Sequence, residues 1–168
     1  MKLRAFCALA TLLTVLCGIS YAQDIDQTRN ALKGLSGVYI MPETPLEPDA
    51  IAGGLSYDAI RTDVELKLRQ AGIRVLSGDE WERAPGKPYL QVWPRVLKGG
   101  VLGGYIYQIT VEFKQHVSLV RTSDIKVFAV TWSTEHMGYT PDLKDIRDRM
   151  KLLLDRFIDA YLGVNTKK

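Results

Sequence analysis

The chain is poor in reactive side chains: two cysteines, Cys7 and Cys17, and two histidines, His116 and His136, among 168 residues. Both cysteines lie in the first 22 residues, so the part that follows carries no thiol, which excludes disulfides, zinc–thiolate centres and cysteine nucleophiles from it. Excess charge of one sign is also missing. Past residue 22 there are 20 lysines and arginines against 19 aspartates and glutamates, a balance that argues against bulk electrostatic capture of nucleic acid or anionic membrane. No internal repeat, G-x-S-x-G elbow or GK[ST] phosphate loop occurs, and the glycines at 99, 100, 103 and 104 read as a mobile hairpin tip. The longest apolar run, residues 5–19, falls short of the roughly 20 residues needed to span a bilayer.

That short run has a different reading. Lys2 and Arg4 precede it, and Ser20 and Ala22 place small residues at the −3 and −1 positions of a cleavage site before Gln23, which makes residues 1–22 a signal peptide. A lipid anchor on Cys17 is the rival, but Leu16 stands where lipidated cysteines normally follow a small residue. Residues 23–168 then form a single domain, expected to be periplasmic or secreted and to have no stable membrane anchor.

The stretch around which this domain is organised is residues 55–76. Tyr57, Ile60, Val64, Leu68 and Ala71 recur at helical spacing, with Ser56 as N-cap and Gly72 as the stop before a β-rich run at 73–76. Before it, 37–41 reads as a short strand, and Pro42, Pro45 and Pro48 predict an irregular surface loop. After it come a capped turn at 77–81, a strand at 89–96 and the longest alternating run, 105–120. A turn at 121–124 leads to a returning strand at 125–134. Pairing Val120 with Ile125 sets Val117 opposite Phe128, Phe113 opposite Trp132, Lys114 opposite Thr131 and Thr110 opposite Glu135, so like meets like on each face. Asp142 then caps a last helix with the stripe Leu143, Ile146, Met150, Leu153, Phe157 and Tyr161, ending at Gly163. The order β, α, β, β, β, β, α predicts an α+β fold: a mainly antiparallel sheet of about four to five strands with two helices packed on one face.

Spacing alone leaves a Ser-His-Asp triad open, but Ser36, Ser56, Ser77 and Ser118 each have a simpler cap, turn or surface reading. The same register puts His116 opposite Ala129 and His136 opposite Ile109, too far apart for one metal or one proton relay. Asp58, Asp63 and Glu65 sit beside Arg61, Lys67 and Arg69 on one helix, where exposed ion pairing accounts for them. No catalytic residue, metal site or cofactor is expected. Exposed aromatics are the stronger lead. With Leu90 and Val92 inside, Tyr89, Trp93 and Arg95 share the opposite face, and Tyr105 and the Val101–Leu102 tip are expected to extend that patch. Large aromatics with arginine are enriched at binding hot spots.

The helix IRTDVELKLRQAGI leading into a strand, and TWST ahead of a C-terminal helix ending in FIDAYLGVN, resemble a family of small uncharacterised exported bacterial proteins. At pattern level, the helix followed by residues 71–76 and antiparallel strands is also similar to the amino-terminal domain of TolB and to LptE-like envelope proteins. The resemblance implies a non-enzymatic envelope module with a protein partner, and it transfers no functional residue. The expected function is docking through a sheet edge or the Trp93 face. The alternative is a small molecule or lipid held between sheet and helices.

Overall fold

A computed structural model describes residues 24–41 and 46–166, so the expected signal peptide lies outside the described residues, as do Pro42 and Pro45. In chain order the elements are α1 (Asp26–Asn30), β1 (Tyr39–Ile40), α2 (Pro48–Ala52), α3 (Tyr57–Gln70), α4 (Gly78–Arg83) and β2 (Tyr89–Lys98). They continue with a 3-10 turn (Gly100–Leu102), β3 (Tyr105–Leu119), β4 (Thr122–Thr140) and α5 (Leu143–Asn165). The sheet order is β1-β2-β3-β4, with β1 parallel to β2 and the other pairs antiparallel. This is the expected α+β fold, with α3 and α5 on one face of the sheet.

The core follows from the two periodicities. Ile60, Val64 and Leu68 of α3 are buried, with Tyr57 and Ala71 packed against them. Ile146, Met150, Leu153, Phe157 and Tyr161 do the same from α5. They meet Leu90, Val92, Val96, Tyr107, Ile109, Val111, Phe113 and Trp132, the side chains that alternation turns toward the helices. Ser56 caps α3 by accepting from the Ala59 amide, and Gly72 follows with φ +75°, a left-handed conformation that costs glycine nothing. Between the helices, Arg147 donates to Asp63 (2.6 Å) and Lys67 pairs with Asp155. These partly exposed pairs set orientation more than stability.

Several expectations need correction. The proline-rich stretch is not wholly irregular: Pro48 opens α2 at a first-turn position, where its missing N–H is no loss. The expected strand at 73–76 is reduced to an isolated parallel bridge, Val38↔Val75. Helix α5 runs through Gly163 to Asn165, whose side-chain amide donates to Leu32 O and accepts from Gly34 N, so tertiary bonds hold the last turn. β4 extends past Thr134 to Thr140 because the first residues of β3 need a partner.

The β3–β4 register is as expected for every pair from Tyr105↔Thr140 to Phe113↔Trp132, including Thr110↔Glu135. Beyond Phe113 it slips by one residue: Lys114 faces Val130 rather than Thr131, His116 faces Phe128 and Val117 faces Val127. Thr131 is the extra residue of a β-bulge. Its hydroxyl accepts from Gln115 Nε2 (3.1 Å), and the same amide group donates to Ala31 O (3.0 Å), so the bulge ties β4 to the chain just after α1. A further irregularity beyond Ser118 pairs Leu119 with Thr122, so the turn is tighter than the expected one and Val120 does not pair with Ile125.

Candidate functional site

The sheet face turned away from α3 and α5 can be read row by row from the register. Its rows are Tyr89–Lys114–Val130, Gln91–Glu112–Ser133, Trp93–Thr110–Glu135, Arg95–Gln108–Met137 and Leu97–Ile106–Tyr139. The middle rows are polar and internally bonded. Lys114 Nζ donates to Gln91 Oε1 and pairs with Glu112, each at 2.8 Å, and Gln108 donates to Glu135 at 3.1 Å.

The two ends differ. At one, α4 lays Trp81 over the face, stacked on Tyr39 with ring centres 5.0 Å apart. A chain of rings continues through Tyr89 (6.3 Å) and Phe128 (5.8 Å from Tyr89) to His116, which is 3.7 Å from Phe128. Tyr89 is therefore half-buried in this cluster. At the other end Leu97, Ile106, Met137 and Tyr139 are 60%, 47%, 70% and 53% exposed. Val101 stands fully exposed in the adjoining loop. Trp93 and Arg95 lie between the two ends, with the guanidinium over the indole, 4.2 Å from its centre, a cation–π contact.

Of the four residues singled out from sequence, Tyr89, Trp93 and Arg95 share this face. Tyr105 does not. It pairs with Lys98 and Thr140 and follows the parity of Tyr107, Ile109 and Val111, so it packs against the core on the helix side. The exposed row was missed for a local reason: a strand ending at residue 134 leaves Met137 and Tyr139 in a loop, and one ending at 96 leaves out Leu97. Ile106 was the available signal, an isoleucine on the otherwise polar parity of β3.

The sheet edges are unequal. Val96 N–H donates to Glu47 Oε2 (3.4 Å) and Lys98 N–H to Asp49 Oδ2 (3.3 Å), so carboxylates at the start of α2 occupy the outward amides of β2. Two residues earlier on the same parity, Pro94 has no amide to offer. The β2 edge is thus already capped along this stretch. β4 is the opposite edge, and no strand among the described residues covers it.

Among the described residues no cluster of histidine, aspartate and glutamate could hold a metal ion. His116 and His136 lie on opposite faces of the sheet: His116 against Phe128, and His136 under α5 with its ring 5.9 Å from Tyr107. Asp24 accepts from Arg29 (2.6 and 2.7 Å) and from Trp132 Nε1 (3.0 Å). The bonds from Arg29 chiefly hold its carboxyl below the usual range, against the opposing effect of burial. Burial, then the positive charges of Arg149 and Arg156, lower the pKa of His136. The unfolded chain therefore takes up a proton near pH ~6.5 that the folded chain refuses. Stability should fall as pH drops through that value and level off below the folded pKa. Urea midpoints measured across this range should show the step, and His136→Gln should flatten it.

Two concavities are relevant to ligand binding. The crevice between sheet and α3, lined by Ile40, Tyr57, Ile60, Val64 and Val92, offers about 20 Å³, room for about one water. A surface groove of about 490 Å³ runs between the end of β4 and α5, past Tyr139, Thr140, Asp145, Arg149 and Leu152. No described helix is long and apolar enough to cross a membrane. Compared with protein-family models, curated proteins and solved structures, the chain matches none of them.

Proposed function

We propose that this chain is a non-enzymatic docking module of the cell envelope, periplasmic or secreted, that holds a protein partner on the helix-free face of its sheet. The observation that carries the reading is the cross-strand row Leu97–Ile106–Tyr139 with Met137 beside it. Three adjacent strands each contribute a large exposed apolar side chain at one level, next to the Trp93–Arg95 pair. Single exposed apolar residues are ordinary, but a contiguous set rimmed by polar rows is the pattern of an interaction site. Trp93 and Arg95 are the residue types that dominate interface energetics, and their mutual stacking preorganises them. The location rests on the amino-terminal sequence pattern. A small-molecule or lipid site between sheet and helices gains no support from a crevice the size of one water.

The test is site-specific photo-crosslinking in the native envelope, with the photoreactive side chain placed at Leu97 or Ile106 and, as control, at Leu66, which is exposed on α3. Discrete adducts with a different protein are expected at the first two positions and not at the third. Adducts absent from all three positions, or identical at all three, would overturn the reading.

A further inference from the structure

Gly138 lies inside β4, in a part of the strand that is fully paired with β3. A glycine within a strand often marks a close approach by another group, and here that group is Tyr107. The two residues face each other across the strands, and a Cβ at position 138 would stand 2.8 Å from the Tyr107 hydroxyl oxygen and 3.0 Å from Cζ. The phenol therefore lies across the backbone of β4 at this glycine. Its residue is only 4% exposed, yet it lines the groove of about 490 Å³ between the end of β4 and α5. A buried tyrosine hydroxyl usually finds a hydrogen-bond partner. Among the described residues this one has none.

The helix side of the groove carries a second unused donor. Arg149 stands one turn along α5 from Asp145, a spacing at which aspartate and arginine ordinarily pair. Both carboxylates lining the groove are engaged elsewhere: Asp145 Oδ2 accepts from the Thr140 hydroxyl (2.5 Å) and Asp148 Oδ1 from Lys151 Nζ (2.9 Å). Arg149 is left without a hydrogen bond or ion pair among the described residues. Its guanidinium stays charged at any pH the fold survives.

A neutral O–H donor from the sheet and a cationic fork from the helix thus line one groove, and together they select an acceptor of negative charge. The carboxylates of Asp145 and Asp148 on the same wall penalise each added negative charge, which favours a carboxylate over a doubly charged phosphate. A carboxylate also matches the guanidinium fork and keeps lone pairs for the phenol. Pro141 and the exposed Leu152 add apolar surface beside the charges, and the volume is that of a site for a small organic molecule.

We propose that this groove binds a small organic carboxylate, an anion of single charge with an apolar body, which accepts from the Tyr107 hydroxyl, pairs with Arg149 and rests its body on Pro141 and Leu152. The site is independent of the outer-face docking reading, because Tyr107, Arg149 and Leu152 lie on the helix side of the sheet and no protein partner is needed to complete it.

Calorimetry and amide resonance mapping on the purified chain, with phenylacetate as the probe, test the site. Saturable binding is expected, with the resonances of Gly138 and Arg149 moving. Phenylacetamide, which keeps the shape and loses the charge, and inorganic phosphate should each bind about tenfold more weakly or worse. Arg149→Gln should weaken phenylacetate about tenfold or more. Tyr107→Phe should weaken it about tenfold and leave the urea midpoint where it is, since the oxygen removed makes no bond within the described fold. A hydroxyl that served the fold would give the opposite pair of results. The proposal is overturned if phenylacetate does not bind, if phenylacetamide or phosphate binds equally well, or if Tyr107→Phe leaves binding unchanged. Should Tyr107→Phe fail to fold, Arg149→Gln decides alone: Arg149 is exposed and its replacement leaves the core intact, so unchanged binding there overturns the proposal.

Discussion

Replacing Trp132 by alanine should remove about 3–5 kcal/mol of stability, enough to unfold a domain of ordinary stability or leave it marginal. Trp132 is fully buried and stands edge-on to Phe157, with ring centres 5.3 Å apart. Phe157 in turn stacks at 5.9 Å on Phe113, which pairs with Trp132 across the strands. The indole also reaches past the core to donate to Asp24, the carboxylate that Arg29 of α1 holds from the other side. One side chain therefore joins β4, α5 and the first described segment. Trp132→Ala leaves a cavity in a close-packed interior and removes one donor from Asp24. Trp132→Phe should cost clearly less, because most of the ring volume remains and only the N–H is lost. Urea denaturation of the two variants checks this, and an alanine variant within about 1 kcal/mol of the parent would mean that these contacts do not hold the core together.

The parts of the fold legible in the sequence are those set by a single periodicity. The α3 stripe, its Ser56 cap and its Gly72 stop all lie within one short window, and so does the alternation that pairs Phe113 with Trp132. Less legible are features that depend on distant partners. The bulge at Thr131 leaves composition unchanged. It becomes visible only when Gln115 is seen bridging that hydroxyl to Ala31, and with it the slip that puts His116 opposite Phe128. The length of β4 is decided by the need of residues 105–109 for a partner, which outweighs Gly138 as a turn signal. The carboxylates that cap β2 come from α2, about fifty residues earlier in sequence, in a stretch whose prolines predict only a loop.

The candidate surface divides in the same way. The parity rule placed Tyr89, Trp93 and Arg95 on one face. The alternation of 105–120 puts Tyr105 with Tyr107 on the other face. Tyr89 is then partly withdrawn by α4, because Trp81 covers it, and the exposed centre of the face moves to the opposite end. There the apolar row Leu97, Ile106 and Tyr139, with Met137 beside it, faces outward from the sheet plane.

Leu68→Ala should destabilise the protein by about 2–5 kcal/mol, whereas Leu66→Ala, two residues earlier on the same helix, should stay within about 0.5 kcal/mol. Hydropathy cannot separate the two leucines, and their helix propensities are equal. Phase separates them: at 100° per residue they stand about 200° apart around α3. Leu68 is 0% exposed and packs into the common core of sheet and helices, while Leu66 is 53% exposed on the wet side among Arg61, Thr62 and Arg69. Truncating Leu68 removes three carbons from an interior that relaxes only in part, so the lost transfer energy and the cavity add. Truncating Leu66 gives up little burial, and alanine is at least as good a helix former. Urea midpoints for the pair, with unchanged denaturant slopes, provide the measurement. Equal losses at the two positions would show that α3 is rotated from the phase described here, and that the stripe Ile60, Val64, Leu68 does not face the sheet.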